Sequence, residues 1–194
     1  MPALPELFER TRLPLDLPTA PEAVPESLPG TGRTLDFRME RQTQSQWCWA
    51  AVAVSVTRFY QPSSNITQCR VANRELGTDV CCADPPACNQ DNTLDTTLRT
   101  VGHLRAFEGG PLSFPPVRDE INAGRPLGCR IGWLDGGGHF VVIHGVSTDQ
   151  SGASVKRWVA VEDPLFGPSD YLINDFTSAY RQGEGEWTHS YFTQ

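Results

Sequence analysis

The chain has 194 residues, of which 39% are hydrophobic and 20% charged, the balance of a soluble domain with a real core. A net charge of -7 and a pI near 5.0 exclude the basic surface that tracks phosphates, so nucleic acid is not an expected partner. No stretch approaches the ~20 apolar residues that span a bilayer, and MPALPELFER lacks the regions of a secretory signal, so neither a membrane nor classical export is expected.

Residues 1–34 carry seven prolines and no periodic apolar pattern, which predicts an extended, disordered leader or propeptide ahead of one domain over residues 35–194. From Trp49 the apolar side chains Val52, Ala53, Val56, Phe59 and Tyr60 recur at steps of three and four until Pro62, predicting a mostly buried helix with Cys48 in its first turn. A second helix opens at Asn65 or Thr67 and stops at Gly77; a third opens at Asn92 and stops at Gly102. The fourth starts at Pro115, with prolines in its first turn, and ends at Gly124. Beyond Gly124 the texture turns to short β-rich runs at 127–133, 139–146 and 155–162, around Tyr171, and from Trp187 to Phe192. Helices first and strands second predict an α+β fold, a helical half packed on an antiparallel sheet or half-barrel.

A helix N-terminus favours a thiolate, because its unpaired N–H groups and dipole favour negative charge, and Cys48 has that position. Six residues upstream, Gln42 is placed to offer its amide to a developing oxyanion, beside the Cys48 backbone N–H; Gln44 and Gln46 are rivals. Four histidines are candidate bases: His103, His139, His144 and His189. His139 begins a strand directly after three glycines, whereas His144, an odd interval on, points to the opposite face. Asp163 ends the next strand, where antiparallel pairing brings it beside His139 as an orienting group, with Asp135 and Glu162 as alternatives.

WCWAA headed by Q-x5-C, GGGHFVVI and the later Asp163-Pro164 with Gly167 together resemble the papain-like cysteine peptidases, most closely the bacterial branch related to AvrRpt2 and more remotely the double-glycine leader peptidases. Spanning about residues 38–192, the resemblance implies a papain-like fold with Cys48 as nucleophile, His139 as base and acid, Asp163 as orienter and Gln42 in the oxyanion hole. It implies an endopeptidase working through a thioester on a protein or peptide substrate, as a monomer and without a cofactor. Acyl transfer of the transglutaminase kind uses the same triad order, and an inert binding or delivery module is a reading of another class.

Two disulfides are expected among Cys69, Cys81, Cys82 and Cys88, since the proline-rich CCADPPACNQ is a segment that bridges stabilise and lacks the gaps of a zinc knuckle. Cys129 is expected as a buried free thiol. Bridges imply work outside a reducing cytosol, hence a secreted bacterial effector or toxin leaving by a route without a signal peptide, with an immunity or delivery protein as a further partner; a cytoplasmic protein is the competing account.

Overall fold

The computed structural model describes residues 28–194. Its first helix, α1 (Cys48–Tyr60), is buried without a break from Cys48 to Thr57, so it is a central helix rather than an amphipathic one. Two polar residues in it are satisfied internally: Ser55 Oγ donates to Ala51 O and Thr57 Oγ1 to Ala53 O, both at 2.7 Å. α2 (Gln68–Leu76) follows Thr67 and ends at Gly77, whose φ of 63° supplies the left-handed cap. α3 (Leu94–Thr100) starts one residue later than the Asn92 cap would place it, because the Asn92 side chain is drawn to Glu75 on α2 at 2.8 Å. α4 (Phe114–Asn122) carries Pro115 and Pro116 in its first turn, where the missing N–H groups cost nothing.

The sheet is antiparallel throughout. Among the described residues seven strands build it: β1 (Thr31–Thr34), β2 (Leu104–Gly109), β3 (Leu127–Trp133), β4 (Gly138–Asp149), β5 (Lys156–Glu162), β6 (Ser169–Leu172) and β7 (Gly185–Thr193). They run in the order β2-β7-β3-β4-β5-β6. The long β4 is the axis. β3 pairs with its first half, Leu127 opposite Ile143, and β1 continues along the same edge, Thr34 opposite Gly145, while β5 takes the other edge. α1 packs on β4 and α3 on β2 and β7, and a short α5 (Ile173–Ser178) lies against β7. This is the α+β arrangement of a helical half on an antiparallel sheet.

Two strands escape the sequence reading. β1 falls inside the expected leader, four exposed residues with no apolar alternation; backbone pairing alone makes it a strand. Gly32 is required there, since a Cβ would lie 1.9 Å from Val146 O. The expectation of disorder is therefore corrected for residues 31–34, and the part of it over residues 1–27 lies outside the described residues. β2 is likewise almost wholly exposed.

Cys69 pairs with Cys82 and Cys81 with Cys88, while Cys48 and Cys129 are free and buried. Burial pushes the Cys129 thiol well above the ordinary cysteine pKa.

Candidate active site

Cys48 is the first residue of α1 and is 1% exposed. At that position its N–H has no intrahelical partner. The loop before it is closed from within: Gln42 Nε2 donates to Gln44 O at 3.0 Å and to Ser45 O at 2.9 Å, and Trp47 N donates to Gln44 O at 3.1 Å. Both amide hydrogens of Gln42 are thereby used, and its Oε1 is buried without a partner. Gln42 N also donates to Pro164 O at 2.9 Å, and the Arg41 guanidinium to Leu165 O at 2.7 Å. These bonds tie the thiol's loop to the segment after Asp163. Gln44 serves as a backbone acceptor, and the Gln46 side-chain oxygen is buried without a partner.

His139 stands at the start of β4, behind a turn in which Gly136 and Gly137 have φ of 100° and 85°. Gly138 packs on Arg130, whose guanidinium would lie 2.7 Å from a Cβ. The imidazole is fully buried, stacked on Trp133 at 5.9 Å and met edge-on by Phe166 at 6.0 Å. Its Nε2 lies 2.8 Å from Asp163 Oδ1, which makes Nε2 the donor, and Nδ1 makes no hydrogen bond. Burial alone lowers the pKa of His139, but the charge and hydrogen bond of Asp163, with a further contribution from Cys48, raise it to about 10.

Asp163 follows β5 and is held on all sides. Oδ1 also accepts the N–H groups of Leu165 at 2.7 Å and Phe166 at 2.9 Å, and Oδ2 accepts the Tyr180 hydroxyl at 2.6 Å. Gly167, with φ of 86°, donates its N–H back to Asp163 O, which explains the Asp-Pro-x-x-Gly spacing. Burial raises the Asp163 pKa, yet His139, Tyr180 and the Phe166 N–H outweigh it and hold the carboxyl below its usual value.

The structure thus brings Cys48, His139 and Asp163 together and sends the rivals elsewhere. His144 Nδ1 donates to Leu35 O, His103 Nδ1 donates to Gln194 O, and His189 stacks on Phe107. Glu162 faces Met39 and Arg38, and burial first, then Asp163, pushes it up to about 7. Trp47, Trp49 and Trp133 are core. Tyr180, Phe166 and Trp133 are the neighbours of the imidazole–carboxylate pair that sequence reasoning missed; no local pattern marks an aromatic residue as a neighbour across the sheet. Among the described residues no group of three or more His, Cys, Asp or Glu is arranged to hold a metal ion.

A thiol heading the central helix of one half and an imidazole on the sheet of the other is the plan of papain-like cysteine proteases. The chain belongs to the AvrRpt2 family of these proteases, whose model matches residues 31–181. Among solved structures it is similar to the Pseudomonas avirulence protein AvrPphB, with 12% identity over 82% of this chain and 98% of that one, at a TM-score of 0.39. A search of curated proteins finds no match.

Proposed function

We propose that the protein is a cysteine endopeptidase in which Cys48 is the nucleophile, His139 the acid and base, and Asp163 the orienting group. One observation carries this reading: His139 spends Nε2 on Asp163 and keeps Nδ1 unspent beside Cys48. The carboxylate fixes the ring and stabilises its charged form, so Nδ1 can hold the proton that leaves the Cys48 sulfur as it attacks. Sulfur attacks the scissile carbonyl carbon, and the carbonyl electrons move onto oxygen. The Nδ1 proton passes to the leaving amine as the C–N bond breaks, leaving a thioester on Cys48. His139, now neutral, takes a proton from water as that water attacks the thioester, and sulfur departs as thiolate.

The oxyanion is received by the Cys48 N–H and by Gln42, which gives up one of its two loop bonds to donate. Trp133 and Phe166 keep water from the imidazole–carboxylate pair, so the field between them stays strong. The substrate is a protein, and the two disulfides favour the reading of a secreted bacterial effector over that of a cytosolic enzyme.

Mass spectrometry of N-termini tests the reading. Lysate treated with the wild type gains new N-termini that lysate treated with Cys48→Ala lacks. Equal sets of N-termini sink the assignment, and amine-linked products in place of hydrolysis products replace it with acyl transfer.

A further inference from the structure

An oxyanion site works best when its backbone donor is held in place as charge develops, so the backbone at the head of α1 must be held still. From within, Gln42 braces it. From outside, three consecutive residues of one segment do so. Cys88 O accepts Trp47 Nε1 at 2.8 Å, and Gln90 O accepts Trp49 Nε1 at 3.1 Å. Between them Asn89 uses both ends of its amide: Oδ1 accepts Gln46 N at 2.9 Å, and Nδ2 donates to Ser45 Oγ at 2.9 Å. The bonds therefore reach residues on both sides of Cys48.

This segment is anchored in turn. Cys88 is bonded to Cys81, and Cys81 N donates to Asn73 Oδ1 on α2 at 2.8 Å. The disulfide-closed insertion thus links a peripheral helix to the loop that carries the proposed oxyanion donors. The second bridge, Cys69–Cys82, joins the first turn of α2 to the residue after Cys81 and contains no residue of the segment 88–90.

We infer that residues 88–90 are a strap that positions the oxyanion loop, with Asn89 as the positioning residue and the Cys81–Cys88 disulfide as its anchor. The inference rests on the proposed roles of Cys48 and of the loop beside it. Asparagine suits the place because one short side chain supplies an acceptor and a donor together. Alanine leaves the Gln46 N–H unpartnered. Aspartate keeps that acceptor and can also accept from the Ser45 hydroxyl.

Two reagents on one sulfur separate positioning from general damage. With p-nitrophenyl acetate the Cys48 thiolate attacks the ester carbonyl, a C–S bond forms through a tetrahedral oxyanion, and the C–O bond breaks as nitrophenolate leaves. With iodoacetamide sulfur displaces iodide and no oxyanion forms. Asn89→Ala is expected to slow acylation on the order of 10- to 100-fold while alkylation of Cys48 stays within about twofold. Asn89→Asp recovers most of the loss. The double variant Cys81→Ser with Cys88→Ser shows the same split, and Cys69→Ser with Cys82→Ser leaves acylation unchanged.

The strap is overturned if Asn89→Ala acylates at the wild-type rate, or if both reactions slow in parallel. Should the double variants not fold, Asn89→Ala and Asn89→Asp decide the matter. Failure of the underlying reading looks different: Cys48→Ala would then react with both reagents as the wild type does.

Discussion

Tyr180 donates its hydroxyl to Asp163 Oδ2 at 2.6 Å, among the described residues the one hydrogen bond on the carboxylate oxygen that His139 does not use. Both residues are buried, and the bond closes a set of four on one carboxylate. Tyr180 sits at the start of the turn Tyr180–Gly183, in which Arg181 and Gln182 take left-handed φ of 51° and 62° and the Arg181 guanidinium covers Phe166 at 4.0 Å. The same turn that delivers the hydroxyl therefore also seals the face of the ring that packs on His139.

Replacing Tyr180 with Phe tests this bond. A buried carboxylate oxygen left without its donor costs about 1–3 kcal/mol, read as a lower unfolding free energy in urea. The sign with pH follows from the depressed Asp163 pKa. That carboxylate stabilises the fold above its unfolded pKa, and the contribution is lost as pH falls through the folded value. Without the Tyr180 donor the folded pKa rises, so acid unfolding begins at a higher pH. An unchanged acid transition would mean that the hydroxyl does not bear on the carboxylate.

The imidazole makes a second pH prediction. Asp163 is the main influence raising His139 to about 10, against the opposing effect of burial, so Asp163→Asn lowers the pH at which the imidazolium is lost. Partial activity should remain, and the alkaline limb of the kcat/KM profile should move toward neutrality. A profile that loses height with no movement of that limb would contradict the proposed role of Asp163.

Cys48→Ala and His139→Ala are each expected to abolish turnover. Loss of an acid–base group costs on the order of 10²- to 10⁴-fold, and here the same group also takes the proton of the attacking thiol. Measurable hydrolysis by purified Cys48→Ala, free of contaminating protease, would end the assignment.

Gln42 differs from its neighbours in spending its side-chain NH2 group on two carbonyls of the loop. Gln42→Ala should lower kcat by on the order of 10²- to 10³-fold if one of those hydrogens moves to the oxyanion. Gln44→Ala should matter less, because Gln44 contributes its backbone carbonyl, which survives the change. Equal losses at Gln42, Gln44 and Gln46 would make the loop a purely structural feature.

Most of this was legible along the chain. The period of α1 placed Cys48 at its head, the glycines placed His139 at the start of a strand, and the pairing of consecutive strands placed Asp163 beside it. What was not legible depends on contacts with no local signature. Tyr180 reaches Asp163 through a turn of unusual backbone, and Asn89 reaches residues 45 and 46 across 44 and 43 positions of chain. The cysteines announced two bridges but not their partners, since four cysteines allow three pairings. β1 was hidden because four exposed residues owe their strand to β4 alone.

That dependence makes the last prediction. Ser147 Oγ donates to Pro29 O, the Arg33 guanidinium to Asn122 O, and Leu35 N to His144 O at 2.8 Å, so the pairing of β1 is reinforced on both flanks. Truncation after Ser27 keeps all of these bonds, whereas truncation after Thr34 removes the strand and uncovers an edge of β4. The shorter protein should melt at a lower temperature than the longer one, the gap corresponding to about 1–3 kcal/mol for a few backbone hydrogen bonds at their net worth. Calorimetry on the two proteins measures it. Of the two readings of residues 1–34, leader or propeptide, the second meets the same strand, because a cut within residues 30–35 requires β1 to leave β4 first. Mass spectrometry of the stored full-length enzyme should therefore find residues 30–35 intact under conditions where β1 is paired, and rapid Cys48-dependent cleavage there would show that the strand opens readily. Equal melting temperatures for the two truncations would mean that β1 adds nothing to the sheet it extends.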